Sequence, residues 1–237
     1  MRRAPELGSL LVRNRELRAR YAGDAALAGR LAALRRWQAD RLAASYADLA
    51  TQERYRAAVT FFLGDIYGGA DAGPRDRELE RAARALTRLL PAAALEALCT
   101  AVALDSLTQE LDADLAARLP PGQPVTGAAY AAAYRAAGRR ADRERQIAVI
   151  LELGHCLDRL VRQPLPRLLL RVSRRPAQLA GLGALHDYLE RGFQAFTAMD
   201  GAAEFLTTIG TRESELLRRL FDGEVDPFTT AELARQA

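Results

Sequence analysis

A helix that is apolar on more than one side is the feature that most constrains this chain. In the stretch YRAAVTFFLGDIYGGADAGPRD, from Tyr55 to Asp76, large apolar side chains recur at helical spacing. Phe61 projects away from that stripe, and Asp65 falls between Phe61 and Phe62 on the helix surface. A helix of this kind is normally surrounded by other helices. The stretch therefore predicts the middle of a helical bundle, followed by a glycine-rich bend.

Helical periodicity continues along almost the whole chain, and no stretch alternates in the way that a half-buried strand does. Asp24 and Thr126 stand where helix N-caps are expected, and Gly138 stands where a helix ends. The sequence thus predicts an all-α fold, a single-domain helical bundle of about ten helices over residues 1–237. Segment 120–125, PPGQPV, is the candidate sub-boundary.

The string FFLGDIYG, Phe61 to Gly68, is followed by the pair Arg75-Asp76. It resembles the signature of an uncharacterised family of helical proteins from high-GC proteobacteria, an FFLxDLYG-type motif followed by RD. The stretches 134–147 and 181–209 resemble the same family. The resemblance implies a helical fold and a bacterial source, and it attaches no reaction to any residue.

All 34 basic residues are arginines, and alanine is abundant, which is typical of a GC-rich genome. The arginine-rich composition is therefore a weak functional signal. Net charge is +6 in residues 1–41, −4 in 42–133, +6 in 134–191 and −4 in 192–237. This alternation predicts segments that pack against one another and disfavours a uniformly basic nucleic-acid face. We find no specific nucleic-acid motif.

Two cysteines, Cys99 and Cys156, lie far apart and without metal-type spacing, which predicts a reducing compartment and no disulfide. The apolar part of the N-terminus is short for a signal peptide, and no run is long enough for a transmembrane segment. We expect a cytoplasmic protein and no cofactor.

The strongest metal pattern combines Glu152 and His155, spaced E-x-x-H, with His186 and Glu190. Ferritin-like di-iron sites use two E-x-x-H motifs and two further glutamates, so this pattern is half complete. On a helical wheel, Glu152 and His155 face away from the apolar stripe of their helix, and His186 lies at the border of its own. We predict no metal site; the alternative is a metal held by these four residues.

A second candidate site surrounds the glycine bend. In one interpretation it lines a pocket, where Arg75 binds an anion and the buried Asp65 carries out acid-base chemistry. In the other, which we favour, Asp65 is a buried carboxylate neutralised by Arg75 or by another arginine such as Arg143, while Asp76 caps a helix. The candidate residues, for a pocket or a structural ion-pair cluster, are Phe61, Phe62, Asp65, Tyr67, Arg75, Asp76 and Arg143.

Arginines alternate with leucines in residues 159–175. Such a segment can rest on an anionic membrane or on an acidic partner. Because Pro164, Pro166 and Pro176 are expected to break it into short pieces, we predict instead a bent helix pair. Its arginines are expected to meet the acidic segments of the same chain and to serve packing or a protein partner.

Together these patterns predict a non-catalytic cytoplasmic interaction or ligand-binding protein. Its partner is expected to be a protein or a small hydrophobic or anionic ligand. The alternative is a heme-oxygenase-like helical oxidoreductase, dependent on metal or heme, with His155 or His186 as a ligand.

Overall fold

The computed structural model describes residues 7–67 and 73–228, and in this part of the chain every regular element is a helix. The predicted all-α, single-domain bundle is confirmed. None of the described helices combines the length and apolar character needed to cross a bilayer. The α-helices are α1 Leu7–Ala22, α2 Ala25–Ser45, α3 Ala47–Thr51, α4 Glu53–Phe61, α5 Gly73–Leu89, α6 Ala92–Ala116, α7 Gly127–Ala137, α8 Arg140–Val161, α9 Pro164–Leu179, α10 Gly183–Ala198 and α11 Ala203–Phe221.

Local capping fixes several of these boundaries where the sequence predicts them. The Asp24 carboxylate accepts a hydrogen bond of 3.0 Å from the backbone N–H of Leu27, at the start of α2. The Thr126 hydroxyl accepts one of 3.2 Å from the N–H of Ala129, at the start of α7. Gly138 ends α7 with a φ of 64°, a left-handed conformation that favours glycine.

The core consists of three clusters of buried apolar side chains. The first, between α2, α6, α7 and α11, includes Leu34, Leu115, Ala131 and Leu220, and so takes residues from both sides of segment 120–125. The second, between α4, α10 and α11, includes Tyr55, Phe196, Phe205 and Leu206. The third, between α1, α5, α6 and α10, includes Leu11, Leu79, Val102 and Leu185. Helix α6 contributes to the first and third clusters and has more buried residues than any other described helix.

The helix predicted before the glycine-rich bend is α4 followed by a π-helical turn, Phe62–Tyr67. At this junction the two neighbouring aromatic residues pack in different directions. The Phe61 ring lies 5.3 Å from that of Tyr188, and the Phe62 ring lies 5.9 Å from that of Phe205. The prediction that this helix is apolar on more than one side is confirmed.

Helix α9 corrects the expectation that prolines break residues 164–179 into short pieces. Pro164 and Pro166 occupy its first turn, where backbone N–H groups have no partner within the helix, so proline removes no hydrogen bond there. Pro176 lies in the last turn, close to the natural end of the helix. The segment is therefore one amphipathic helix of 16 residues.

Candidate functional site

Asp65 lies in the π-helical turn and pairs with Arg191 of α10, not with Arg75 or Arg143. Its carboxylate accepts hydrogen bonds from Nε of Arg191 at 3.1 Å and from Nη2 at 2.5 Å. An arginine partner was predicted for Asp65, but the prediction that Asp65 is buried is wrong: it is only half-buried, and the Arg191 side chain is 52% exposed. Water therefore screens this ion pair.

Replacing Asp65 by alanine is expected to lower the free energy of unfolding by no more than about 1 kcal/mol, because solvent-exposed ion pairs contribute little. Urea unfolding of Asp65→Ala and of Arg191→Ala, followed by circular dichroism, measures this. A loss of about 3 kcal/mol or more would show a buried charge at this position and would contradict the structure.

The other charged residues that follow the bend contact α10 and α1. The guanidinium of Arg75 lies over the Tyr188 ring at 4.4 Å and donates from Nε to the Asp76 carboxylate at 3.0 Å. Asp76 also pairs with Arg18 of α1. The charged side chains are thus neutralised, which favours structural ion pairs over a ligand pocket. Because α5 begins at Gly73, Asp76 lies in its first turn, and the prediction that Asp76 caps the helix is wrong. The Tyr67 side chain and residues 68–72 lie outside the described residues.

Arg143 belongs to a different part of the molecule. It is buried in α8, where Nη2 donates to the backbone carbonyl of Leu111 at 3.1 Å and Nη1 lies 3.8 Å from Asp112 Oδ1. Burial raises the pKa of Asp112, and the charge of Arg143 opposes that rise. The expectation that Arg143 neutralises Asp65 is wrong, because the guanidinium of Arg143 contacts Leu111 and Asp112 of α6 instead.

Glu152 and His155 are exposed on α8, as their helical positions predict. His155 lies at the rim of an open cleft between α8 and α11, whose floor includes Leu151, Leu206 and Gly210. Among the described residues, neither Glu152 nor His155 belongs to a group of three potential metal ligands. Glu152 and His155 are therefore not brought together with His186 and Glu190 as one group of metal ligands.

His186 is buried, whereas the sequence placed it at the border of an apolar stripe. Only 4% of it is exposed. Its Nε2 lies 2.9 Å from the carbonyl oxygen of Leu170 in α9, and because a carbonyl can only accept, Nε2 carries the proton. The other ring nitrogen, Nδ1, faces the carboxylates of Asp187 and Glu190 at 3.9 and 4.0 Å.

Helix α9 leaves a strip of large apolar side chains in solvent. Its inner side rests on α10 and α8, yet none of its residues is fully buried. The outer strip consists of Leu165, Leu168, Val172 and Leu179, which are 50%, 54%, 59% and 91% exposed. We call these four residues the outer strip. Contiguous exposed apolar side chains on a folded domain mark an interaction site more often than scattered ones do.

A row of exposed arginines accompanies the outer strip: Arg167, Arg171 and Arg174 lie beside it, and Arg175 lies between Val172 and Leu179. Helix α9 contains no acidic residue. Arg174 approaches Glu190 at 4.0 Å, and the other three form no ion pair with any residue the structure describes. The expected pairing of these arginines with the acidic segments is wrong, since acids there take other partners: Glu213 pairs with Arg41, for example.

Comparison with known proteins identifies a family to which the chain is similar. No curated protein and no solved structure is significantly similar to the chain. The sequence model of a family described as Domain of unknown function (DUF8198) matches residues 17–227, which include every helix from α2 to α11 and the outer strip. The chain therefore belongs to the DUF8198 family.

Proposed function

We propose that this protein is a non-catalytic interaction protein that uses the outer surface of α9 to bind an acidic helical segment of another protein. The observation that carries the proposal is that one helix combines an exposed apolar strip with a row of four arginines, three of which form no ion pair with any described residue. The apolar strip supplies affinity by losing contact with water, and the arginines select the charge of the partner.

The spacing of the outer strip favours a helical partner. Leu165, Leu168, Val172 and Leu179 follow one another at intervals of three, four and seven residues, the a and d positions of a heptad repeat. Arg175 takes the remaining d position between Val172 and Leu179. A strip this narrow matches the seam between two packed helices, whereas a helix lying on a membrane uses a broader apolar face. In α9 the rest of the apolar face already contacts α10 and α8.

The charge pattern favours a different molecule over a second copy of this chain. Two copies of α9 placed side by side would bring two arginine rows together without an acidic residue on either helix. Like charges in contact oppose association. A partner helix with Leu or Ile on one side and Glu or Asp beside it would satisfy both features of the surface.

A synthetic heptad peptide with Leu at a and d and Glu at e and g tests this surface by fluorescence anisotropy. We expect saturable one-to-one binding that weakens as salt is raised. Combining Arg167→Glu, Arg171→Glu and Arg175→Glu is expected to weaken binding at least about tenfold, since the reversals replace attraction to the glutamates of the peptide by repulsion. Leu165→Ser with Leu168→Ser should have a similar effect through the lost apolar contact.

The matched control changes three exposed arginines of α5, Arg77, Arg84 and Arg88, to glutamate. It alters the net charge equally and should leave peptide binding unchanged. If the α5 and α9 variants weakened peptide binding equally, the binding would depend only on the overall positive charge of the protein, and the proposal would be wrong. Salt-resistant flotation with anionic vesicles, lost in the α9 variant and accompanied by no peptide binding, would assign the surface to a membrane instead.

A further inference from the structure

One ring nitrogen of the buried His186 has no partner in the surrounding structure that is described. Its Nδ1 is buried and has no hydrogen-bond partner among residues 7–67 and 73–228. With Nε2 protonated, the neutral imidazole carries its free electron pair on Nδ1. An unpaired polar nitrogen in a buried position costs stability, so a native structure is expected to give it a partner.

Two carboxylates face this nitrogen. Nδ1 lies 3.9 Å from an oxygen of Asp187 and 4.0 Å from one of Glu190, and one ligand atom from each of the three residues lies within 4.8 Å of the others. These distances are too long for hydrogen bonds. They are short enough for a bridging cation, because Zn²⁺ lies about 2.0–2.2 Å from nitrogen and oxygen ligands.

We propose that His186, Asp187 and Glu190 bind one divalent transition-metal ion, with Nδ1 of the histidine and one oxygen of each carboxylate as ligands. One imidazole with two carboxylates is a donor set suited to ions of the Zn²⁺ and Mn²⁺ class. The carboxylate side chains of Asp187 and Glu190 are 53% and 32% exposed, so small rotations would bring their oxygens to a tetrahedral separation. Water completes the coordination from the open side.

The contact between Nε2 and the Leu170 carbonyl supports this assignment. Histidines that ligate metals commonly donate their other N–H to a carbonyl or carboxylate, which fixes the ring orientation and the tautomer. Here that carbonyl belongs to α9, while all three ligands belong to α10. A bound cation would strengthen Nε2–H as a donor and so hold α9 against α10. The three proposed ligands are not part of the proposed partner surface, but Glu190 lies 4.0 Å from Arg174, a member of the arginine row.

Zinc titration of untagged protein, with a chromogenic chelator as competitor, tests the site. We expect one Zn²⁺ per chain. Asp187→Asn or Glu190→Gln should weaken binding by at least about 10- to 100-fold, because the loss of an outer-shell partner alone already costs that much and these residues are direct ligands. These exposed carboxylates can be changed without opening the core, as His186→Ala would do. In ¹⁵N spectra, Zn²⁺ should shift the Nδ1 resonance of His186 while Nε2 keeps its proton.

The control is His155→Ala with Cys156→Ser, which removes an adjacent imidazole and thiol on α8. This variant should keep the affinity of the parent. Zinc binding that disappears in the control, or that Asp187→Asn and Glu190→Gln leave unchanged, would place the ion elsewhere and overturn the proposal. Failure to bind either Zn²⁺ or Mn²⁺ would overturn it as well.

Discussion

Arg143→Ala is expected to lower the free energy of unfolding by about 3 to 5 kcal/mol at neutral pH, because it leaves a buried carboxylate without its charge partner. Asp112 is 4% exposed and Arg143 is 8% exposed. After the substitution, the Asp112 carboxylate keeps one hydrogen bond, from Gln38 at 3.2 Å, and the Leu111 carbonyl loses the one that Arg143 donates. Urea unfolding followed by circular dichroism measures the change.

The decrease in the free energy of unfolding caused by Arg143→Ala should become smaller as the pH is lowered. Burial already raises the pKa of Asp112 above its ordinary value of 3.8, and removing the arginine raises it further. A carboxyl whose pKa is higher in the folded state favours folding when protonated and loses that advantage as the pH rises above the unfolded value. The difference from the parent should therefore be smaller at pH 4 than at pH 7.

Arg145 on the same helix is exposed and provides the matched control. Arg145→Ala is expected to change the free energy of unfolding by no more than about 0.5 kcal/mol. If the two alanine variants were equally stable, or if the cost of Arg143→Ala did not depend on pH, the buried pair of α6 and α8 would not contribute as described.

Phe205→Ala is expected to cost about 3 to 5 kcal/mol, because it removes a ring from the second cluster and leaves a cavity. Phe205 is 2% exposed, and its ring centre lies 5.5 Å from that of Tyr55 and 5.9 Å from that of Phe62. Thermal and urea unfolding would report the loss. Because Phe62 is the first residue of the π-helical turn, the substitution should also loosen the packing of that turn.

Leu89→Ala serves as the comparison for Phe205→Ala, since Leu89 is 72% exposed at the end of α5. Its cost is expected to stay within about 0.5 kcal/mol. A cost below about 1 kcal/mol for Phe205→Ala would mean that this cluster closes around the missing ring or is not packed as the structure shows.

Features that depend on neighbouring residues were predictable from the sequence. The side-chain caps at Asp24 and Thr126 act within three residues of themselves, so a local pattern identifies them. The end of α7 at Gly138 follows from the conformational freedom of one residue. The all-helical fold follows from periodicity, which each segment carries independently.

Features that depend on distant residues were not predictable in the same way. Asp65 meets Arg191, a residue 126 positions away, and several arginines could have served from the sequence alone. The burial of His186 depends on how α9 crosses α10. The outer strip was missed for another reason: the effect of proline depends on where a helix starts, and Pro164 and Pro166 fall in the first turn of α9, where proline is tolerated.

The absence of any fully buried residue in α9 also determines how this helix opens. A segment with little buried apolar surface can unfold by itself at a free energy far below that of the whole domain. Its amide hydrogens should therefore exchange with solvent before those of α6, which lies in the core. A ligand that binds only the folded helix raises the free energy of that local opening. Slower hydrogen exchange confined to α9 would then show that a partner is bound to this helix, even if the partner does not change the average structure.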